Sequence, residues 1–400
     1  MRTILSMLLI IGISLRLSAQ DNSYKEISLP DLMKKKGQEK GLVILDVRTN
    51  GEYYDTSGQY KQGNIGRIKG TLHVELQDLL ENPQAIKELD SYKDKEIYVI
   101  CSHSYRSRVA SNYLLKNGFS DVTNVRGGMT EWFRRADELE PYKAKYYETK
   151  NTYGLMAPAE LAERLIAGKD TKLIGIASEP RYWYDSFMLV LYRYLPAFKN
   201  AAQFSYADSL RVLEEARKAN GKTIVLYSTV NSGASELAEW LTGKGIKGVS
   251  ALAGSLNYFY EYLQNKNLVS RAAPFMKSLS PVDFITSAGY CAHSTTGQLI
   301  DLREDSLFNK VTTGTKYKYK HLRNATNFFS GNGVAQFEKQ FGDKGADYYF
   351  MSQNGSTGMQ FADELARKGY HIHWIMGGMQ RWEWYMNNVE DFGCMGLLVE

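Results

Sequence analysis

Charge of one sign is what this sequence most plainly lacks. Its 49 Lys and Arg face 44 Asp and Glu, a formal +5 over 400 residues. So near a balance gives no case for nucleic acid or an anionic membrane as partner. Histidine is scarce, six in all. The closest pair, His371 and His373, alternates along a strand without further ligand-type neighbours, so no metal site is expected, and no cofactor. Low-complexity tracts and long linkers are missing, so the mature chain should be folded throughout. The one long apolar run, residues 3–15, is too short to cross a bilayer comfortably. Preceded by Arg2 and followed by Leu17-Ser18-Ala19, it reads as a secretory signal (1–19) cut before Gln20, with an uncleaved anchor as the alternative. No cysteine follows the cut to carry a lipid. The protein is therefore expected to be exported, periplasmic or extracellular, with no membrane span after signal removal. Loss of Arg2 and Arg16 with the signal lowers the formal charge from +5 to +3 and leaves about 380 residues, enough for two or three domains.

What the chain does contain is organised around residues 97–107, IYVICSHSYRS. Ile97 to Ile100 read as a strand buried on both faces. From Arg106 on, Val109, Ala110, Tyr113 and Leu114 fall on one helical stripe that stops at Gly118. Cys101 thus ends a strand facing a helix start. Unpaired amides there, the positive end of the helix dipole and Arg106 all favour a thiolate, so a depressed pKa and a nucleophilic Cys101 are expected. Ser102, His103, Ser104, Tyr105 and Ser107 form a short polar loop able to curl its amides around an anion. A buried, inert core cysteine is the competing reading.

Upstream lie a DVR-x-x-x-E-Y segment (Asp46, Val47, Arg48, Glu52, Tyr53) and the turn GRIKGT from Gly66; downstream lies GG-x-x-x-W (Gly127, Gly128, Trp132). With the Cys-headed loop, these make the chain resemble the rhodanese, or sulfurtransferase, family. Two departures stand out. Arg67 replaces the family's turn histidine, and Ser104 replaces the loop's fourth-position glycine, where serine reaches positive φ reluctantly. The resemblance implies that Asp46 and Arg48 support the neighbouring strand end.

The pattern recurs. Adding 127 to the first unit's numbers lands on residues 223–259, where Gly118 maps to Gly245 and Gly127 to Gly254. Adding about 250 lands on residues 347–385, whose GGMQRW matches GGMTEW, while Asp301 and Arg303 restore the Asp-x-Arg pair. Each copy is expected to open with a proline-led helix, at Pro30, Pro158 and Pro281. The expected fold class is α/β, three tandem rhodanese-like domains (20–142, 143–272 and 273–400), each a mostly parallel sheet with helices on both faces. Only the first has a nucleophile. Ser228 and Gly233 stand at the Cys101 and Arg106 positions of the second copy, Ser352 and Thr357 at those of the third, and neither loop holds a His, Asp or Glu to activate a serine. Such loops could still bind an anion or close over the first unit's cleft.

Four residues separate Cys101 from Arg106, one fewer than in the related phosphatase and arsenate reductase loops, and the resemblance assigns this length to sulfane sulfur. The expected reaction is a double displacement through a Cys101 persulfide. Loop amides and Arg106 would hold a small donor such as thiosulfate, and cyanide or a thiol would be the acceptor. His103 either tunes the thiolate or is merely solvated. A non-enzymatic sulfur carrier, redox sensor or scaffold of the cell envelope is the alternative, and arsenate reduction or phosphatase activity a more distant one. Cys291 and Cys394 flank the third unit; a bond between them and two free thiols are both open. Nothing in the sequence states the oligomeric state.

Overall fold

The computed structural model describes residues 23–58, 61–177, 193–228, 233–293, 296–309, 321–382 and 397–399. The expected signal lies outside them. In the first unit the strands are β1 (Lys25–Ser28), β2 (Val43–Asp46), β3 (Arg67–Ile68), β4 (Leu72–His73), β5 (Glu96–Ile100), β6 (Asp121–Arg126) and β7 (Tyr147–Glu148). Five of them form a parallel sheet in the order β1-β6-β5-β2-β4. Successive residues of β5 face opposite sides, as strand geometry requires. Ile97, Val99 and Cys101 join one core with Leu45, Ala110 and Leu114, and Tyr98 and Ile100 join another with Leu32, Met129 and Trp132. The helix Tyr105–Lys116 buries Ser107, Ala110, Ser111 and Leu114, while Val109 and Tyr113 are only half-buried. Its buried stripe is therefore rotated towards the N-terminal serines relative to the expected one.

The second unit has β8 (Gly154–Met156), β9 (Thr171–Ala177), β10 (Ala197–Phe198), β11 (Ala202–Ser205), β12 (Thr223–Ser228), β13 (Val249–Leu252) and β14 (Met276–Lys277). The third has β15 (Asp283–Ile285), β16 (Gln298–Asp301), β17 (His321–Leu322), β18 (Thr326–Asn327), β19 (Asp347–Met351), β20 (His371–Ile375) and β21 (Leu398–Val399). Their sheets run β8-β13-β12-β9-β11 and β15-β20-β19-β16-β18, the same permutation as the first. Each unit also closes with a small antiparallel pair: β3 with β7, β10 with β14, β17 with β21. Three parallel sheets flanked by helices are thus stacked along the chain. The first closing pair carries that unit's structure to Glu148, past residue 142, and the second carries its unit to Lys277, past 272.

Prolines start helices in two units only. Pro30 lies in the first turn of helix Leu29–Gln38 and Pro158 begins helix Pro158–Ile166. Pro281 instead precedes β15, and the third unit's helix begins at Ser287. The reason is local: from Asp283 the side chains alternate in strand fashion, with Phe284 buried opposite Trp374, and Thr286 Oγ1 accepts the Gly289 amide at 2.9 Å to open the helix instead. Cys291 is disulfide-bonded and Cys101 is free. Cys394, the other cysteine that flanks the third unit, lies outside the described residues.

The units are packed together. Ala157 and Ala253 of the second enter the first unit's core, and Phe259, Tyr260 and Leu263 share one cluster with Phe284 and Trp374 of the third. Ion pairs Lys61–Glu239, Arg134–Glu261 and Lys266–Asp137 bridge the first two units.

Candidate active site

Cys101 follows β5, and its Sγ accepts the Ser104 amide at 3.1 Å. Met129 N donates to Cys101 O at 2.8 Å, and Thr130 N and Oγ1 both lie 3.1 Å from Ser102 O, so the Gly127-Gly128 turn clamps the loop's entry. That clamp explains the glycine: a side chain at Gly128, where φ is +62°, would collide with the Cys101 carbonyl. Ser104 holds the reluctant conformation, φ +85°, in helix-capping position. At the matching place in the third loop stands Gly355, with φ +77°. Ser104 tolerates the strain because it is fixed from beneath: its Oγ accepts Asn124 Nδ2 at 2.8 Å, and Ser107 Oγ lies 2.9 Å from its carbonyl and 2.7 Å from Asn124 Oδ1.

Cys101 is 1% exposed and belongs to the core, with Ser104 folded over it. Arg106 is engaged within the protein. Its Nη1 and Nη2 contact Glu52 at 2.5 and 2.7 Å, and Nη2 reaches Ser102 Oγ at 2.8 Å. Burial disfavours both charges of that pair, yet their mutual bonds outweigh it, holding Glu52 below the usual carboxylate range and Arg106 above its own. Tyr105 turns away from the loop and is 61% exposed. His103 stays with the site, its Nδ1 3.0 Å from Ser102 Oγ. Burial, then the charges of Arg381, Arg134 and Arg106, push it down to about 3, so it is neutral at physiological pH.

Asp46 and Arg48 are wholly buried behind this loop. Arg48 Nε lies 3.0 Å from both Asp46 oxygens, and Nη2 donates to Asp46 Oδ2 and to Gly66 O, both at 2.8 Å. They tie the end of β2 to the turn before β3. Arg67, in the turn-histidine position, binds Glu148 at 2.8 Å and packs over Tyr53, which fastens β3 to β7. Asp301 and Arg303 repeat the buried pair in the third unit.

The third unit's loop is closed in a way chemistry explains. In the third, Ser352 Oγ accepts the Gly355 amide at 3.0 Å, as Cys101 Sγ does that of Ser104. Asn354 Oδ1 then accepts from Ser356 N and Thr357 N at 3.0 and 3.1 Å, with both hydroxyls equally near. A side-chain carbonyl thus takes the bonds an anion would take. In the second, Ser228 is buried and Gly233 begins the helix Ala234–Gly243. Among the described residues no cluster of His, Cys, Asp or Glu is placed to hold a metal.

Sequence reasoning passed over Glu52 as a counter-charge and Asn124 as a brace. Asn124 had a signal, a polar residue inside the buried strand β6. Glu52 had only its place in the DVR segment.

The model of the Rhodanese-like domain matches residues 29–135 and 291–384, together half of the chain, and the chain belongs to that family. The second unit lies outside both matches and shares the family's fold through its sheet. Among relatives, the chain is 32% identical over 91 residues to the tRNA uridine(34) hydroxylase of Cytophaga hutchinsonii, 23% of this chain and 26% of that one. It is 33% identical over 115 residues to YrkF of Bacillus subtilis, named for a sulfur-carrier role, 29% of this chain and 54% of that one. The matches thus span between a quarter and about half of these relatives' own length. A solved rhodanese-like domain protein of Staphylococcus aureus is similar at 28% identity, covering 27% of this chain and 90% of that one with a TM-score of 0.22.

Proposed function

We propose that the first unit carries sulfane sulfur on Cys101 and transfers it to a thiophilic acceptor. The observation that carries this is the Ser104 amide on the sulfur of the free cysteine, at the start of helix Tyr105–Lys116. In the first step the Cys101 thiolate attacks the donor's outer sulfur. The donor's S–S bond breaks, the electron pair leaves with sulfite or a thiolate, and Cys101–S–S⁻ remains. The new terminal charge sits among loop amides and the helix dipole, which stabilise it as an oxyanion hole stabilises oxygen. An acceptor then takes the outer sulfur and restores the thiolate. The sulfur-carrier name of YrkF agrees with this reading.

Because Cys101 is 1% exposed, donor access requires residues 102–104 to swing outward. That same burial favours the second reading, a non-enzymatic scaffold of the cell envelope. We also propose export through the segment at residues 1–19. Treating purified protein with thiosulfate, and separately with the persulfide of a small thiol, should add one sulfur to Cys101 by mass spectrometry. Catalytic turnover that vanishes in Cys101→Ala supports the enzyme over a passive carrier, and no added sulfur with either donor overturns sulfur transfer and leaves the scaffold.

A further inference from the structure

Between the first and second units lies a cavity of about 110 Å³. The loop after β5 walls it with Ser102 and His103, and the second unit walls it with Ser228 at the end of β12 and with Ser255 and Tyr258. Phe133 and Leu252 make part of the remainder apolar. No Asp, Glu, Lys or Arg lines it among the described residues. The cations around it are matched by carboxylates. Arg106 is held by Glu52, Arg134 by Glu131 and Glu261 at 3.2 and 3.1 Å, and Arg381 of the third unit by Glu261 at 3.4 Å. Arg134 and Arg381 also lie 5.5 and 5.6 Å from the Tyr258 ring centre. His103 adds no charge, since its basicity is pushed down to about 3.

A ligand entering this space finds hydroxyls, an imidazole and apolar walls. A carboxylate or sulfonate carried there would lose its water without meeting an unengaged cation. The volume is well under the roughly 300 Å³ at which pockets for drug-sized ligands begin. The cavity adjoins the two residues that follow Cys101. Resting on the sulfur-transfer reading above, we infer that it seats the sulfur acceptor and that this acceptor is a small uncharged thiol. The second unit, without a nucleophile of its own, supplies the wall that selects it. In the step, the incoming thiol R–SH attacks the outer sulfur of Cys101–S–S⁻. The S–S bond to Sγ breaks, Cys101 departs as thiolate, and the proton of the attacking thiol ends on the new persulfide R–S–SH. No further oxidant or reductant is needed.

The test loads the full-length protein with one sulfur on Cys101 and follows its removal by 2-mercaptoethanol, mercaptoacetate and glutathione. Each rate is divided by that of the same thiol with free cysteine persulfide, which removes intrinsic thiol reactivity. 2-Mercaptoethanol should be favoured at least about tenfold over mercaptoacetate, its anionic counterpart of like size, and over bulky glutathione. Tyr258→Ala, which widens the cavity, should raise the normalised glutathione rate relative to that of 2-mercaptoethanol. Equal normalised rates for the three thiols in the wild-type protein would overturn the assignment while leaving sulfur transfer intact. Failure of Cys101 to take up sulfur from any donor would instead remove the reading beneath it.

Discussion

Replacing Asp46 by alanine should be among the most damaging single changes in the first unit, although Asp46 never touches the loop sulfur. Asp46 and Arg48 have no side-chain exposure, and Arg48 directs Nε and Nη2 at the carboxylate. Without it the guanidinium keeps Gly66 O alone, since Nη1 already lacks a hydrogen-bond partner. Leaving one charge of a buried pair uncompensated costs about 3–5 kcal/mol. The double change Asp46→Leu with Arg48→Met removes both charges and fills the space with apolar groups. Its cost should be near that of the orphaned Gly66 carbonyl, about 1 kcal/mol. Hydrogen exchange of the β2 amides under increasing urea reports the first unit separately from the others. The double variant should recover most of what the single one loses. A loss below about 1 kcal/mol in Asp46→Ala, or a double variant no better than the single, would refute the view that this pair holds β2 to the turn.

Two further outcomes concern pH. Burial pushes the Glu52 carboxyl up, but Arg106 outweighs it and holds it below the ordinary 4.5. The stability from this pair is therefore complete above about pH 4.5 and is lost as the pH falls through the depressed value. Glu52→Gln should flatten that acid limb in a denaturation series while lowering stability at pH 7. For His103 the folded form stays neutral down to about 3, whereas the unfolded chain takes up its proton below about 6.5. Stability should decline from pH 6.5 downward, His103→Gln should remove that slope, and NMR should find no His103 titration between pH 8 and 5 in the folded protein.

Periodicity and repetition made the architecture legible. Buried strands such as residues 97–100 and 223–228, helical stripes between them and offsets of 127 and about 250 residues announced three α/β units, and the three sheets share one strand order. Pro281 misled because proline marks either a helix start or the lead into a strand, and the alternation that follows Asp283 decides between them.

The amino-acid order by itself determined which unit carries the loop cysteine, since a thiol in one loop and serines in the other two are matters of covalent identity. It also determined the closely spaced Asp46 and Arg48, whose two-residue separation at a strand end lets the side chains meet. Only the tertiary structure decided what surrounds them. Glu52 lies 54 residues from Arg106, and Tyr258 and Arg381 come from other units, yet they set the charge around the loop and the cavity beside it. Electrostatics and exclusion of water act through space, so local pattern placed Cys101 at a helix start while packing buried it.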